Sequence, residues 1–445
     1  MVREFQIPTE LMDQICSHFI EDKPTSSACT LLSSRWHPSA RRALFHTISL
    51  SLASDTFDVF FVAPPPKTAQ YVKDLTLKCG SLTAHDLDQV ISIFPALQRL
   101  TLDGTTLYLL DSDHPSIEGW KSPRDLHRLR LTDVTYYMED WSSKIPEDDN
   151  EFNHWLPKPT EDFERFKQEP SRCSLVQLLN LFGNVDTIHI YQVHPVGQGD
   201  RDYHYLSNGR WPVDYSWYYR PVFRSAVWAE AQKLLEHFSV KRILAADRGL
   251  HNADAWYFED IVLYLLAYSQ KAAAYLDCLE IAEEWTVTSE LLNKVGATIT
   301  HLHLHMDDVM DSNLPNGNFF DWAEAGTVEE AWADCQALFN DILRILRMAS
   351  ATIRHLSFHF ETYFRSLTQY DWESLDQLLS SCFRLTDLSF RIMLFRSKHS
   401  ALDLDVAKSL NPRVLEREVC DMLPLMRTAL GDSMRLSLTF EGETA

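Results

Sequence analysis

The sequence is poor in the residues that build most cofactor and catalytic loops. It has 13 glycines in 445 residues, and neither the G-x-G-x-x-G nor the G-x-x-x-x-G-K pattern that holds phosphates occurs. Its eight cysteines include no Cys-x-x-Cys pair, the spacing typical of zinc ribbons and redox motifs. Serine-hydrolase, zinc-protease and kinase signatures are also missing. We therefore expect no cofactor, no bound metal and no catalytic role.

A surplus of basic residues and long apolar runs are absent as well. The chain has 41 basic and 63 acidic residues, which gives a net charge of −22. Such a surface repels phosphate backbones and anionic lipids, so we expect neither nucleic acid nor a membrane as partner. No apolar run is long enough to span a bilayer, and the N-terminus has no signal core. Scattered cysteines without a disulfide framework favour the cytoplasm, the nucleus or both.

A short pattern recurs along the chain, with an aliphatic residue at its first, fourth and sixth positions. Nine such hexamers begin at Val72, Leu97, Leu126, Val185, Val240, Leu276, Ile299, Ile353 and Leu385, and a looser copy begins at Met434. Many of them follow stretches with apolar residues at helical spacing. A helix followed by a short strand, repeated, is typical of a leucine-rich-repeat solenoid.

The pattern predicts an α/β fold for residues 51–445, an irregular leucine-rich-repeat solenoid with parallel strands on the concave face and helices behind. The first, fourth and sixth hexamer residues should enter the core, while the third, fifth and seventh should face the concave surface. A doubly wound α/β domain is the alternative, since it also alternates helices and strands. Four insertions interrupt the repeats. They are either functional loops at one edge of the solenoid or variable segments whose aromatic residues pack on its side. They lie near 135–172, 194–224, 307–327 and 394–412.

Histidines are concentrated on two of the predicted strands. His301, His303 and His305 share one strand, and His355 and His359 share the next. Neighbouring strands lie ~4.8 Å apart, but residues on one face of a strand are ~6.6 Å apart, which disfavours a zinc site. Two interpretations of the histidines remain. They form a polar or pH-sensitive surface that binds a target, or they are solvated polar residues without a ligand.

Other residues predicted for the concave surface are chemically mixed and indicate no class of ligand. They include His189 and Tyr191, which we assign with the five histidines to target binding. The remaining members of this set are Arg128, Arg130, Arg242, Glu280 and Arg391.

The first fifty residues differ from the rest, because no hexamer occurs before their end. Thr9 is placed to cap a helix that carries Leu11, Met12 and Ile15 at helical spacing. A second helix should follow Pro24, and a third should begin near Pro38. About fifty residues can barely enclose a core of their own. Their apolar side chains therefore indicate either that a partner covers them or that the segment caps the open end of the solenoid.

This segment resembles the F-box family. The resemblance rests on Ile7-Pro8-Thr9-Glu10-Leu11, on Ile15 four residues later, and on "LLSSRW" ending at Trp36. It covers about a tenth of the chain, and F-box regions of many fungal proteins lead into a similar repeat body. It implies that residues 1–50 form a three-helix module that docks on the Skp-type adaptor of cullin-based ubiquitin ligases. The adaptor-facing or core positions would be Pro8, Leu11, Ile15, Leu31, Leu32 and Trp36.

The resemblance therefore implies a substrate-recognition subunit of an SCF ubiquitin ligase. The N-terminal module would bind the adaptor and through it a cullin, and the solenoid would recruit a protein target of unknown identity. The subunit would act by raising the local concentration of the target. The alternatives are a leucine-rich-repeat scaffold without a role in ubiquitin ligation and a metal-dependent enzyme that uses the histidine strands.

Overall fold

The computed structural model resolves the chain into two compact units. They comprise Met1–Tyr205 with Pro212–Phe238 and Leu206–Trp211 with Ser239–Ala445. The residues that the structure describes are 7–53, 68–109, 123–138, 173–197, 236–245, 274–282, 291–293, 295–296, 298–307, 328–349, 351–363, 370–395, 417 and 419–440. Both units combine parallel strands with helices, which confirms the predicted α/β class.

The first unit begins with three short helices, as predicted. They are α1 (Thr9–Ser17), α2 (Lys23–Leu32) and α3 (His37–Leu44). The expected cap at Thr9 is wrong, because Pro8 is the N-cap of α1 and no side chain caps this end. Asp22 caps α2 by accepting a hydrogen bond from the Thr25 N–H at 3.0 Å. Pro38 stands in the first turn of α3, where its missing N–H costs nothing.

The three helices meet at small side chains. Cys16 of α1, Cys29 of α2, and Ala40 and Ala43 of α3 form one buried cluster, and Trp36 packs against it. Arg42 of α3 pairs with Asp13 of α1 at 2.6 Å. Met12 of α1 is buried as well and Ile20 packs against the cluster, whereas Leu31 and Leu32 stay at the surface.

Five parallel strands follow in the first unit, hydrogen-bonded in chain order. They are β1 (Thr47–Ser51), β2 (Asp74–Thr83), β3 (Arg99–Tyr108), β4 (Arg124–Met138) and β5 (Phe182–Gly197). Helix α4 (Ala84–Ile93) connects β2 to β3, and α5 (Ser174–Leu179) precedes β5. Strand β1 pairs directly with β2 although its segment starts with Phe45 and so escapes the aliphatic pattern.

The hexamers of this unit lie in register. The third residues of four hexamers, Asp74, Arg99, Arg128 and Thr187, are direct neighbours across β2 to β5. Each strand also enters the sheet in the same way: the N–H groups of Gln98 and Arg99 both donate to the Lys73 carbonyl at 2.9 Å. The predicted repeat is therefore a repeat of backbone geometry as well as of side-chain pattern.

Strands β2, β3 and β4 share a left-handed residue at the eighth position of the repeat. Cys79, Gly104 and Asp133 have φ values of 47°, 60° and 50°. The ladder skips these residues and resumes beyond them, for instance between Thr106 and Thr135. This extra residue resets the alternation of the strand, as in a β-bulge, and lets the strands extend well beyond the hexamer.

The second unit contains six parallel strands in chain order. They are β6 (Ser239–Ala245), β7 (Cys278–Ala282), β8 (His301–Asp307), β9 (His355–Tyr363), β10 (Asp387–Phe395) and β11 (Met434–Phe440). Its described helices of more than one turn are α6 (Val328–Ala349), α7 (Trp372–Ser380) and α8 (Pro424–Leu430). The third hexamer residues again align, from Arg242 through Cys278, His301 and His355 to Asp387.

Helices cover the apolar side of this sheet. Trp372 of α7 lies 6.1 Å from the ring of Phe390 and 6.0 Å from that of Phe360. Asp376 of α7 is buried, and its two oxygens accept the N–H groups of Leu425 and Met426, both at 2.9 Å, at the start of α8. A buried carboxylate that satisfies free N–H groups at a helix start ties two helices together.

In both units the third, fifth and seventh hexamer residues share the side of the sheet opposite the apolar core, which we call the polar face. Because one side is polar and the strands are added in chain order, the described part of the chain lacks the reversed strand order of a doubly wound fold. The first residues of the predicted insertions, up to Met138, Gly197, Asp307 and Phe395, continue strands. The rest of these insertions lies outside the described residues.

Candidate functional site

Four of the six residues assigned to adaptor binding lie exposed on the N-terminal module. Leu11 is 45% exposed, Leu31 84% and Leu32 64%, and Pro8 is exposed as well. Ile7, which the assignment left out, is 39% exposed. Its position next to Pro8 is the signal that could have added it. The most exposed of these side chains are the two consecutive leucines at the end of α2.

The other two residues of the set are more enclosed. Ile15 is half-buried in α1, and Trp36 packs against the cluster of Cys16 and Ala40. Trp36 therefore holds the module together, which is one of the two roles that the family pattern allows. Leu31 and Leu32 follow the buried Cys29 by two and three residues, at the end of α2.

The module is joined to the first strand of the sheet. The Lys23 ammonium donates to the Leu44 carbonyl at 2.8 Å and to the Thr47 carbonyl at 3.3 Å. Partial burial lowers the pKa of this lysine. Since Leu44 ends α3 and Thr47 begins β1, the contact fixes the module at the open end of the sheet, so a capping role accompanies any partner-binding role.

The five histidines lie on the polar face of the second unit, as the hexamer register predicts. His301 stacks on His355 with ring centroids 4.3 Å apart, and His305 lies 5.1 Å from His359. His303 Nδ1 is 2.9 Å from the Ser357 hydroxyl. Their strands, β8 and β9, are direct neighbours.

Carboxylates from flanking strands complete this histidine cluster. His305 Nε2 lies 2.7 Å from Glu280 Oε1 of β7. His355 Nδ1 lies 3.8 Å from Asp387 of β10, which also accepts two hydrogen bonds from Arg435. The cluster thus joins imidazole rings, one hydroxyl and two carboxylates on four strands.

Burial changes the protonation of two of these rings. It lowers the pKa of His301, where the neighbouring His355 adds to the effect. It also lowers the pKa of His303, against an opposing contribution from Glu280. Burial therefore favours the neutral form of both rings, which can donate one hydrogen bond and accept one.

The cluster does not have the geometry of a metal site. Stacked rings present their faces to each other, whereas ligands point nitrogen lone pairs at a common centre. Among the described residues, no group of three or more His, Cys, Asp or Glu side chains is placed to hold a metal ion.

The polar face of the first unit has a different composition. His189 and Tyr191 of β5 lie there half-buried, next to Arg130 and Thr132 of β4 in the register. Arg128 and Arg130 of β4 are exposed. The hexamer "LHRLRL" carries both arginines at alternate positions, and that spacing is the signal that could have set them apart from the other mixed residues.

No protein-family model matches this chain, and no curated protein is similar to it in sequence. Within the part of the chain that the structure describes, no helix is long and apolar enough to cross a bilayer.

Proposed function

We propose that this protein is a substrate-recognition subunit of a cullin-type ubiquitin ligase. The N-terminal module docks on a Skp-type adaptor, and the polar face of the repeat sheets recruits a protein target. The exposure of Leu31 and Leu32 carries the proposal, since the F-box resemblance assigns these positions to the module's core or to its contact with the adaptor.

The arrangement of the module supports a role in binding rather than in catalysis. Leu31 and Leu32 of α2 are mostly exposed, so they contribute little to packing within the module. Apolar side chains that remain in water cost free energy until a partner covers them, and full burial of a leucine recovers roughly 1.5–3 kcal/mol. Proximity of a bound target to the ligase then suffices, because the chemistry belongs to the other subunits.

Co-purification of the full chain with a Skp-type adaptor tests the proposal. We expect the wild-type protein to retain the adaptor and Leu31→Asp to reduce its affinity at least about tenfold, as for a buried interface anchor. Phe383→Asp is the matched control, because Phe383 is 77% exposed in the second unit and takes no part in the module. Circular dichroism of each variant checks that the fold is kept.

Two outcomes would contradict the proposal: no adaptor bound by the wild-type protein, or equal loss of adaptor in Leu31→Asp and Phe383→Asp. Trp36→Ala is a poorer test, since Trp36 packs against the module core and its loss would destabilise α3 as well. Binding of other proteins without adaptor would favour the repeat scaffold.

A further inference from the structure

On the polar face of the first unit, two arginines stand two residues apart on one strand. Arg128 and Arg130 are both exposed, and the Arg130 Nε donates to Thr132 at 3.1 Å. Neither forms an ion pair with a carboxylate among the described residues, whereas Arg99 is held by Asp74 at 3.4 Å and Lys78 by Asp103 at 3.4 Å. In a chain with a net charge of −22, two adjacent unpaired cations are a local exception.

The residues beside this pair in the register are hydrogen-bond donors, and the nearest carboxylate on the same face, Asp103 beside Thr132, is already paired with Lys78. In the sheet register, Arg128 lies between Arg99 and Thr187, and Arg130 lies between Thr101 and His189. The exposed carboxylates closest in the repeat, Asp133 and Asp186, occupy the eighth and second positions. Neither of them reaches either arginine as an ion pair in the described part of the unit. A surface of this kind is complementary to carboxylates supplied by a partner.

We propose that β4 binds an extended acidic segment of a protein target, with carboxylates on alternate residues meeting Arg128 and Arg130. Side chains on one face of an extended chain repeat every ~6.6–6.8 Å, which is also the spacing of alternate residues along β4. Each guanidinium can hold a carboxylate through two parallel hydrogen bonds. This inference rests on the proposed function, because the segment would belong to the target that the repeat sheet recruits.

Fluorescence anisotropy with the full chain tests the inference, with a short labelled peptide of alternating Glu and Ser as the probe. We expect Arg128→Gln and Arg130→Gln each to weaken binding about fivefold, the upper range for an exposed ion pair, and the double variant about twentyfold. Arg391→Gln is the matched control, since Arg391 is an exposed arginine on the polar face of the second unit and takes no part in β4. A peptide of alternating Gln and Ser should not bind.

Three results would overturn the inference. The first is unchanged affinity in the double variant. The second is equal affinity for a peptide of the same composition with all its Glu residues at one end, which would remove the match to β4. The third is tighter binding of a short RNA than of the acidic peptide.

Adaptor co-purification and the peptide assay, carried out on the same protein, separate this inference from the proposed function. If wild-type protein binds the peptide but no adaptor, only the ubiquitin-ligase role fails. If adaptor binding is intact and the peptide does not bind, only the acidic-segment inference fails.

Discussion

The two units share one backbone repeat but treat their polar faces differently. The fifth hexamer position holds His303 in β8, where Ser357 on the next strand engages the ring. The same position holds Arg130 in β4, where no carboxylate of the described residues pairs with the guanidinium. In the second unit, polar side chains of β7 to β10 contact one another across the strands. In the first unit, Arg128 and Arg130 form no ion pair with the described residues. The repeat determines where a side chain points. The residues on the neighbouring strands determine whether that side chain forms a contact within the protein or stays available to a partner.

The largest expected effect comes from the apolar core that each unit has beneath its own sheet. Leu102 in β3 and Leu304 in β8 occupy the sixth hexamer position and are 0% and 1% exposed. We expect Leu102→Ala and Leu304→Ala each to lower the free energy of unfolding by ~2–5 kcal/mol, because each leaves a cavity beneath the sheet. Urea unfolding followed by circular dichroism measures both. Thr101→Ala is the control, and a loss below ~1 kcal/mol in either leucine variant would break the equivalence of the units.

A smaller effect concerns the closed network of the second unit. Burial lowers the pKa of His303, so the folded protein takes up a proton there less readily than the unfolded chain. Stability is then complete above the ordinary histidine pKa of about 6.5 and falls as the pH drops below it. We expect His303→Asn, which keeps a polar atom near Ser357, to lose less stability than wild type between about pH 7 and pH 5. Thermal unfolding across this range measures the difference.

His18→Asn serves as the control for the pH experiment, since His18 is exposed on the N-terminal module. Its pH profile should match that of the wild type. If His303→Asn also kept the wild-type profile, the acid sensitivity would not arise from the buried network.

The smallest effect should sharpen the contrast in the first unit. Asp74→Asn releases Arg99, which lies beside Arg128 in the register. We expect the affinity for the alternating Glu peptide to rise about twofold and stability to change by less than ~1 kcal/mol, because the lost ion pair is partly exposed. A fall in affinity with Asp74→Asn would contradict the role of this face.

Much of the scaffold follows from the hexamers, because an aliphatic residue at three fixed positions sets both the strand and its inward face. Strand β1 escaped the search because the first position of its hexamer holds Phe45, where the other hexamers have an aliphatic residue. The lengths of β2 and β4 escaped it too. Their left-handed residues, Cys79 and Asp133, are not glycines, so the sequence gives no sign of a bulge at these positions. Thr9 was a misleading cap signal, since the helix begins one residue earlier than a cap there requires.

The candidate sites were predictable in orientation but not in use. The register placed His303 on the polar face, but its contact with Ser357 joins residues 54 positions apart. The same limit applies to Arg128, whose lack of a carboxylate partner depends on which residues flank it on β3 and β5. For the module, the sequence marked Leu31 and Trp36 together, and only side-chain packing separates the exposed leucine from the enclosed tryptophan.

The two buried cysteines in the core of the module make the opening of the module measurable. Cys16 and Cys29 are 2% and 9% exposed, and burial, with the neighbouring thiol of Cys29, raises the pKa of Cys16. Alkylating reagents react with the thiolate, so both sites are protected while the three helices stay packed. Exposed Cys79 on β2 supplies an internal reference that labels without unfolding. The rate of labelling at Cys16 thus reports how often the module opens, and a bound adaptor would slow it.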